Sequence, residues 1–173
     1  MTSPRPVRDE DLAVLAALND AAVPNVNALG VDGLAAHLPR CALALTVDDD
    51  AGRPAALLLA LAPGAAYESE NYVWFTAHHP PALYVDRIVV GEALRSRGLG
   101  AALYSAVFDR AAELGLPAVT CEVNLDPPNP RSLAFHTRLG FRQVGEQSTK
   151  GGTTRVALLS RPLRSAPLTP PSS

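Results

Sequence analysis

The segment Arg95-Ser96-Arg97-Gly98-Leu99-Gly100 joins an apolar run, Leu83 to Val90, to a run with helical spacing, Leu99 to Leu114. A glycine-rich turn at this junction commits the chain to a strand–turn–helix unit and builds an anion site. The first N–H groups of a helix have no partner within it, and the helix dipole places partial positive charge there. Gly98 and Gly100 carry no Cβ, so the backbone can come close to an anion. Arg95 and Arg97 add charge suited to a phosphate or pyrophosphate. The turn therefore predicts a phosphorylated ligand.

The rest of the chain bounds that prediction. With 173 residues, one domain over 1–163 is expected, followed by a Pro- and Ser-rich tail at 164–173. Hydrophobic residues make up 47% of the chain, but alanine supplies much of that share, so the core is built from small side chains. A net charge of −2 without a basic run speaks against nucleic acid as a partner. No membrane span and no targeting segment is visible. Cys41 and Cys121 sit in apolar runs and form neither a metal pattern nor a disulfide scaffold, so a reducing, cytoplasmic setting and no metal are expected. Cys121 near the turn reads either as a nucleophile or as a buried core thiol.

Periodicity then orders the elements. A short strand is expected at Pro6–Arg8, a helix from Leu12 after Asp9-Glu10-Asp11, and a second helix at Asp32–Leu38. Cys41–Val47 and Ala55–Leu61 form a hairpin around Asp48-Asp49-Asp50. Pro63–Pro81 reads as a long irregular stretch holding Tyr67, Tyr72, Trp74 and Phe75. It is either an acceptor-pocket wall or a loop over the core edge. Strand Leu83–Val90, the turn, helix Leu99–Leu114, strand Ala118–Leu125 and a helix capped by Asn129-Pro130 follow. Phe141–Val144 and Thr154–Leu159 close a last hairpin. The order β-α-α-β-β-β-α-β-α-β-β gives an α/β (α+β) chain, a mixed central sheet of about seven strands with helices on both faces.

Two carboxylates fall where a central strand should be apolar. By alternation Tyr84, Asp86, Ile88 and Val90 share one face, and Thr120, Glu122 and Asn124 share another. Buried carboxylates need partners. Either Asp86 and Glu122 face a cleft that reaches water, or they pair structurally, for example with Arg87 or Arg131.

Three phosphate loops compete for the turn. A Walker loop needs Lys after the last glycine, and the only lysine is Lys150. A dinucleotide fingerprint needs a third glycine, which Ala101-Ala102-Leu103 does not supply, although Glu122 has suitable spacing for its acidic partner. The third pattern is Arg or Gln, two residues, Gly, one residue, then Gly or Ala; Arg95-x-x-Gly98-x-Gly100 fits it throughout. With Asn129-x-x-Ser132-x-x-x-His136-x-x-x-Gly140-Phe141 downstream, the chain resembles the Gcn5-related N-acetyltransferase (GNAT) superfamily over Leu83 to about Gln147. Upstream only the order of elements agrees.

The resemblance implies a GNAT-like sheet in which the fourth and fifth strands splay apart around the cofactor. It implies acetyl transfer from acetyl-CoA to a primary amine of a small molecule or peptide, with a homodimer a common arrangement. Ile88, Val89 and Val90 would offer backbone groups to the pantetheine arm and the thioester carbonyl. Arg95, Ser96, Arg97, Gly98, Leu99, Gly100 and Ala101 would bind the pyrophosphate through main-chain amides. Asn129 would bond the pantetheine, or serve as a plain helix cap; Ser132 and Phe135 would line the CoA side. His136 stands where many members have a Tyr that protonates the leaving thiolate. It can donate a proton near neutral pH, orient CoA, or be a core histidine. Asp86 or Glu122, directly or through a water, is the candidate base, with Tyr84 second. A catalytically silent acyl-CoA-binding sensor on the same scaffold is the other reading.

Overall fold

A computed structural model describes residues 3–164. It contains β1 (Arg5–Pro6), α1 (Leu12–Asp20), α2 (Gly30–His37), β2 (Leu43–Asp48), β3 (Pro54–Leu61), α3 (Glu70–His78), β4 (Leu83–Val90), α4 (Leu99–Glu113), β5 (Ala118–Asp126), α5 (Pro130–Arg138), β6 (Arg142–Thr149) and β7 (Thr154–Pro162). The seven strands form one mixed sheet in the order β1-β2-β3-β4-β5-β7-β6. Neighbours are antiparallel except β4 and β5, which run parallel. The α/β class and the seven-strand sheet expected from the sequence are found. From residue 165 on, the expected Pro- and Ser-rich tail lies outside the described residues. No helix among them is long and apolar enough to cross a membrane.

Each face of the sheet buries its own apolar set. On one side α4 lays Leu99, Leu103, Tyr104, Val107 and Ala111 over Leu58, Ala60, Val85, Val119, Cys121 and Val123. On the other, Leu15, Ala16 and Leu34 of α1 and α2 cover Leu57 and Leu59. Beyond them, Tyr72 and Phe75 of α3 cover Leu61, Tyr84, Val156 and Leu158. β3 is therefore apolar throughout, as a strand covered on both faces must be. α4 ends where Gly115 takes φ 69° and the Leu116 N–H reaches back to the Ala111 carbonyl at 2.9 Å, a glycine cap that satisfies the last turn.

Three sequence expectations change. The stretch Pro63–Pro81 contains a helix, α3, so the order gains a helix between the third and fourth strands. Its Tyr72 and Phe75 sit one turn apart and bury together, which makes the helix a lid on the sheet rather than a loop over its edge. The alternation along β4 is also broken. Leu59 pairs with Arg87 and Ala60 with Val85, leaving Asp86 as an extra residue, a β-bulge. Beyond it Ile88 and Val90 join Leu83 and Val85 on the α4 side, so Tyr84 does not share their face. The first strand, expected at Pro6–Arg8, is Arg5–Pro6. Arg5 there clamps Asp11 and Asp48, each at 2.8 Å, and ties the start of α1 to the end of β2.

Leu58 is fully buried at the centre of the α4-side core. Leu58→Ala should lower the unfolding free energy by about 2–5 kcal/mol, read from urea denaturation. A loss below about 1 kcal/mol would show that the core is not packed in this way.

Candidate active site

β4 and β5 pair only through Leu83–Val119 and Tyr84–Thr120. Past those residues the strands part, and the edge of β4 from Val85 to Val90 that faces β5 has no strand partner. Between the parted strands opens a cavity of about 820 Å³. It is lined by Ile88, Val89, Val90, Arg95, Ser96, Gly98, Leu99, Gly100 and Ala101 at one end. The Asn25–Asn27 loop, Tyr67, Asn71, Glu122 and Lys150 line the other. Asn129, Ser132, Phe135 and His136 form a wall. The sequence-proposed catalytic and cofactor residues thus line one cavity, except Arg97 and the second-choice base Tyr84, which is buried in the core beside it. Arg97 is exposed and lies 3.5 Å from Asp50 of the β2–β3 turn.

The turn has the geometry of an anion cradle. Gly98 sits at φ 80°, a left-handed conformation costly for residues with a Cβ. The first helical bond of α4 runs from the Ala102 N–H to the Gly98 carbonyl at 3.1 Å. The amides of Leu99, Gly100 and Ala101 therefore have no acceptor within the helix. A Cβ at Gly100 would lie 2.8 Å from Phe135 Cζ, so α5 already fills the space next to that residue. Asn129 caps α5 by accepting from the Ser132 N–H at 3.3 Å, with Pro130 at the first helical position.

Asp86 and Glu122 are brought together but held in opposite states. The Asp86 side chain is only 5% exposed. It accepts from the Tyr67 hydroxyl at 2.6 Å, lies 3.1 Å from His37 Nε2, and accepts from Arg87 Nε at 2.9 Å. Burial alone would raise its pKa. The His37 bond, the Arg87 charge and the Tyr67 bond outweigh burial and hold the carboxyl below the ordinary aspartate value. Arg87 is itself held by Asn19 Oδ1 and the Asn27 carbonyl, each at 3.0 Å. Asp86 thus has both the cleft position and the structural pairing weighed from sequence. Glu122 is different. Burial pushes it up to about 8, opposed by hydrogen bonds from Tyr84 and Asn71 and reinforced by the Asp86 charge. The Tyr84 hydroxyl donates to its Oε2 at 2.6 Å.

His136 is 2% exposed. Its Nδ1–H donates to the Ser132 carbonyl at 2.8 Å, and its Nε2 accepts from the Tyr104 hydroxyl at 2.7 Å. Burial lowers its pKa against the opposing pull of the Ser132 bond, so the ring is neutral at pH 7. Both ring nitrogens are thereby engaged, and His136 and Tyr104 both line the cavity. Burial and the Glu122 charge push the buried Cys121 thiol upward, so it stays protonated at neutral pH. His78 and His79 do not line the cavity. Tyr104, His37 and Asn71 are the site residues that sequence reasoning did not single out, whereas Tyr67 lies in the stretch weighed as an acceptor-pocket wall. Tyr104 carried a usable signal, since it lies one turn into the helix that opens at Gly98.

The sequence matches the acetyltransferase (GNAT) family over residues 35–141. No relative among curated proteins matches it. Among solved structures, the fold is shared with a phosphinothricin acetyltransferase from Sinorhizobium meliloti in complex with acetyl-CoA. The two are 19% identical over 99% of this chain and 93% of that one, with a TM-score of 0.72. It is also shared with the ribosomal-protein-S18-alanine N-acetyltransferase from Escherichia coli (17% identity, 97% of each chain, TM-score 0.71). A third match is yncA from Salmonella typhimurium with its cofactor acetyl-CoA (15% identity, 99% of each chain, TM-score 0.69).

The two carboxyls give stability opposite pH dependences. Folded Glu122 keeps its proton to about 8, whereas its ordinary value is 4.5. Folding therefore takes up a proton between these values, and the contribution of Glu122 to stability falls as pH rises through that window. Asp86, lowered, contributes above the ordinary aspartate range and loses that contribution as pH falls through it. Glu122→Gln should remove the first effect, so its stability gain over wild type in urea melts should grow between about pH 5 and about pH 8.5. A constant difference across that range would contradict the buried, protonated carboxyl.

Proposed function

The chain belongs to the acetyltransferase (GNAT) family, and on that premise we propose that it moves an acetyl group from acetyl-CoA to a primary amine of a small molecule or peptide. The observation that carries this reading is the run of unpaired amides at Leu99, Gly100 and Ala101. They stand at the mouth of a gap whose far end holds Glu122. The Sinorhizobium and Salmonella structures, both holding acetyl-CoA, support acetyl-CoA as the ligand.

In this reading, main-chain amides from Arg95 through Ala101 hold the pyrophosphate, with Arg95 and Arg97 adding charge. The unpaired edge of β4 at Ile88, Val89 and Val90 takes the pantetheine arm as an added strand would be taken. Asn129, Ser132 and Phe135 line its other side. Acetyl-CoA supplies the activated acyl group; the protein supplies position and protons. An alkylammonium has no lone pair, so a proton must leave before attack. Glu122, which titrates at about 8, takes that proton in its ionised form, directly or through a water. Asp86, ionised and fully engaged, fixes Tyr67 and Arg87 on the acceptor wall. His136, with both nitrogens engaged, acts through Tyr104, whose hydroxyl it holds beside the cofactor channel.

Release of free thiol from acetyl-CoA, measured across amino acids, polyamines, aminoglycosides and short peptides, tests the reading. CoA should also raise the melting temperature, with NAD and ATP giving no comparable shift. Protection by CoA without thiol release for any amine would favour the silent sensor. Gly100→Leu should abolish the protection, because the added side chain meets Phe135 and crowds the amides. Unchanged affinity would remove the turn from the binding site. His136→Ala should lower turnover on the order of 10-fold or more with little loss of CoA protection. Equal losses in both would limit it to a binding role.

A further inference from the structure

α3 docks against the β6–β7 hairpin through three side chains at successive positions along the helix. Glu70 Oε2 accepts from the Lys150 N–H at 3.0 Å. Asn71 Oδ1 accepts from Gln147 Nε2 at 3.0 Å. Trp74 packs on Gly145 of β6 so closely that a Cβ there would lie 2.7 Å from Trp74 Cζ2. Because Gln147 donates to the oxygen of the Asn71 amide, the amide nitrogen is left to face the cavity. Asn71 and Glu122 line the same cavity, and hydrogen bonding from Asn71 is among the influences that hold the Glu122 pKa down against burial. Tyr84 donates to the same carboxyl from β4.

We propose that Asn71 is a positioning residue for Glu122, aiming its carboxylate at the acceptor end of the cavity, and that Gln147 fixes which end of the Asn71 amide does so. The inference rests on Glu122 as the base and deepens that reading. An acceptor amine approaching through the gap meets a carboxylate whose orientation is set from outside the cleft, by a helix docked on the edge hairpin. Two donors on one carboxyl favour its ionised form, and that form is the one able to take a proton. The other titratable groups facing Glu122 are Tyr84, Asp86 and Arg87 of β4, Tyr67 ahead of α3, Tyr104 of α4 and Cys121 beside it on β5. From β7 it meets apolar Leu158 in register. Among these, Asn71 is the donor whose removal leaves the sheet intact, since Tyr84 is part of the core.

The test titrates the carboxyl itself. The full chain is labelled with carboxyl-13C glutamate, and the Glu122 resonance is identified by its loss in Glu122→Gln. Its midpoint is then followed in wild type, Asn71→Leu and Gln147→Leu. Removing a donor to the ionised form raises the midpoint, by roughly one pH unit for Asn71→Leu and by a smaller step for Gln147→Leu. Asn71→Ser, which keeps a donor, should return part of the shift. An unchanged midpoint in both leucine variants overturns the proposal. So does an Asn71→Leu shift that Gln147→Leu does not share in direction, for the part assigned to Gln147. Gln147 lies on the edge strand, so its variant reports even if Asn71→Leu loosens α3. The readout needs no turnover. Shifted midpoints with no thiol release from any amine would leave the positioning intact and sink the catalytic reading alone.

Discussion

β4 and β5 are hydrogen-bonded at Leu83–Val119 and Tyr84–Thr120, and not beyond. A parallel pair buried between helices would ordinarily continue its ladder, because unpaired backbone groups in an interior are costly. Here the bulge at Asp86 turns β4 away from its partner. The exposed edge that results, the amides at the start of α4 and the carboxyl of Glu122 all open onto the space so created. Closing that gap would leave the glycine turn facing packed side chains and remove the cavity onto which Glu122 opens.

The bulge also separates two carboxyls that share one cavity. Asp86 draws donors from α2, from the segment before α3 and from its own strand, and so stays ionised. Glu122 has Tyr84 and Asn71, too few donors to offset burial, and titrates at about 8. Environments that push neighbouring acids apart in this way fit the division of labour proposed for them in proton transfer. One carboxylate becomes a fixed post and the other a group able to exchange a proton.

Much of the scaffold was legible because its signals are local. The boundaries of β4 follow from a single apolar run, and the cap of α5 from Asn129-Pro130. Gly98 and Gly115 mark the start and stop of α4 by conformations that other residues disfavour. What the sequence hid depends on other elements. α3 carries Tyr, Val, Trp, Phe and Thr in succession, residues of modest helix propensity, between prolines, and it is helical because Tyr72 and Phe75 bury against β4 and β7. The bulge at Asp86 follows from pairing with β3, which no alternation along β4 alone can reveal. The engagement of His136 by Tyr104, and of Glu122 by Asn71, joins residues far apart in sequence. Residue types in a motif could therefore name the site but not assign the proton inventory within it.

The most direct measurement is a crystal structure of the full chain with coenzyme A. The diphosphate oxygens should lie within hydrogen-bonding distance of main-chain amides between Gly98 and Ala101, with the pantetheine arm along the free edge of β4. A diphosphate held elsewhere, with the gap between β4 and β5 filled by the protein's own side chains, would contradict that placement.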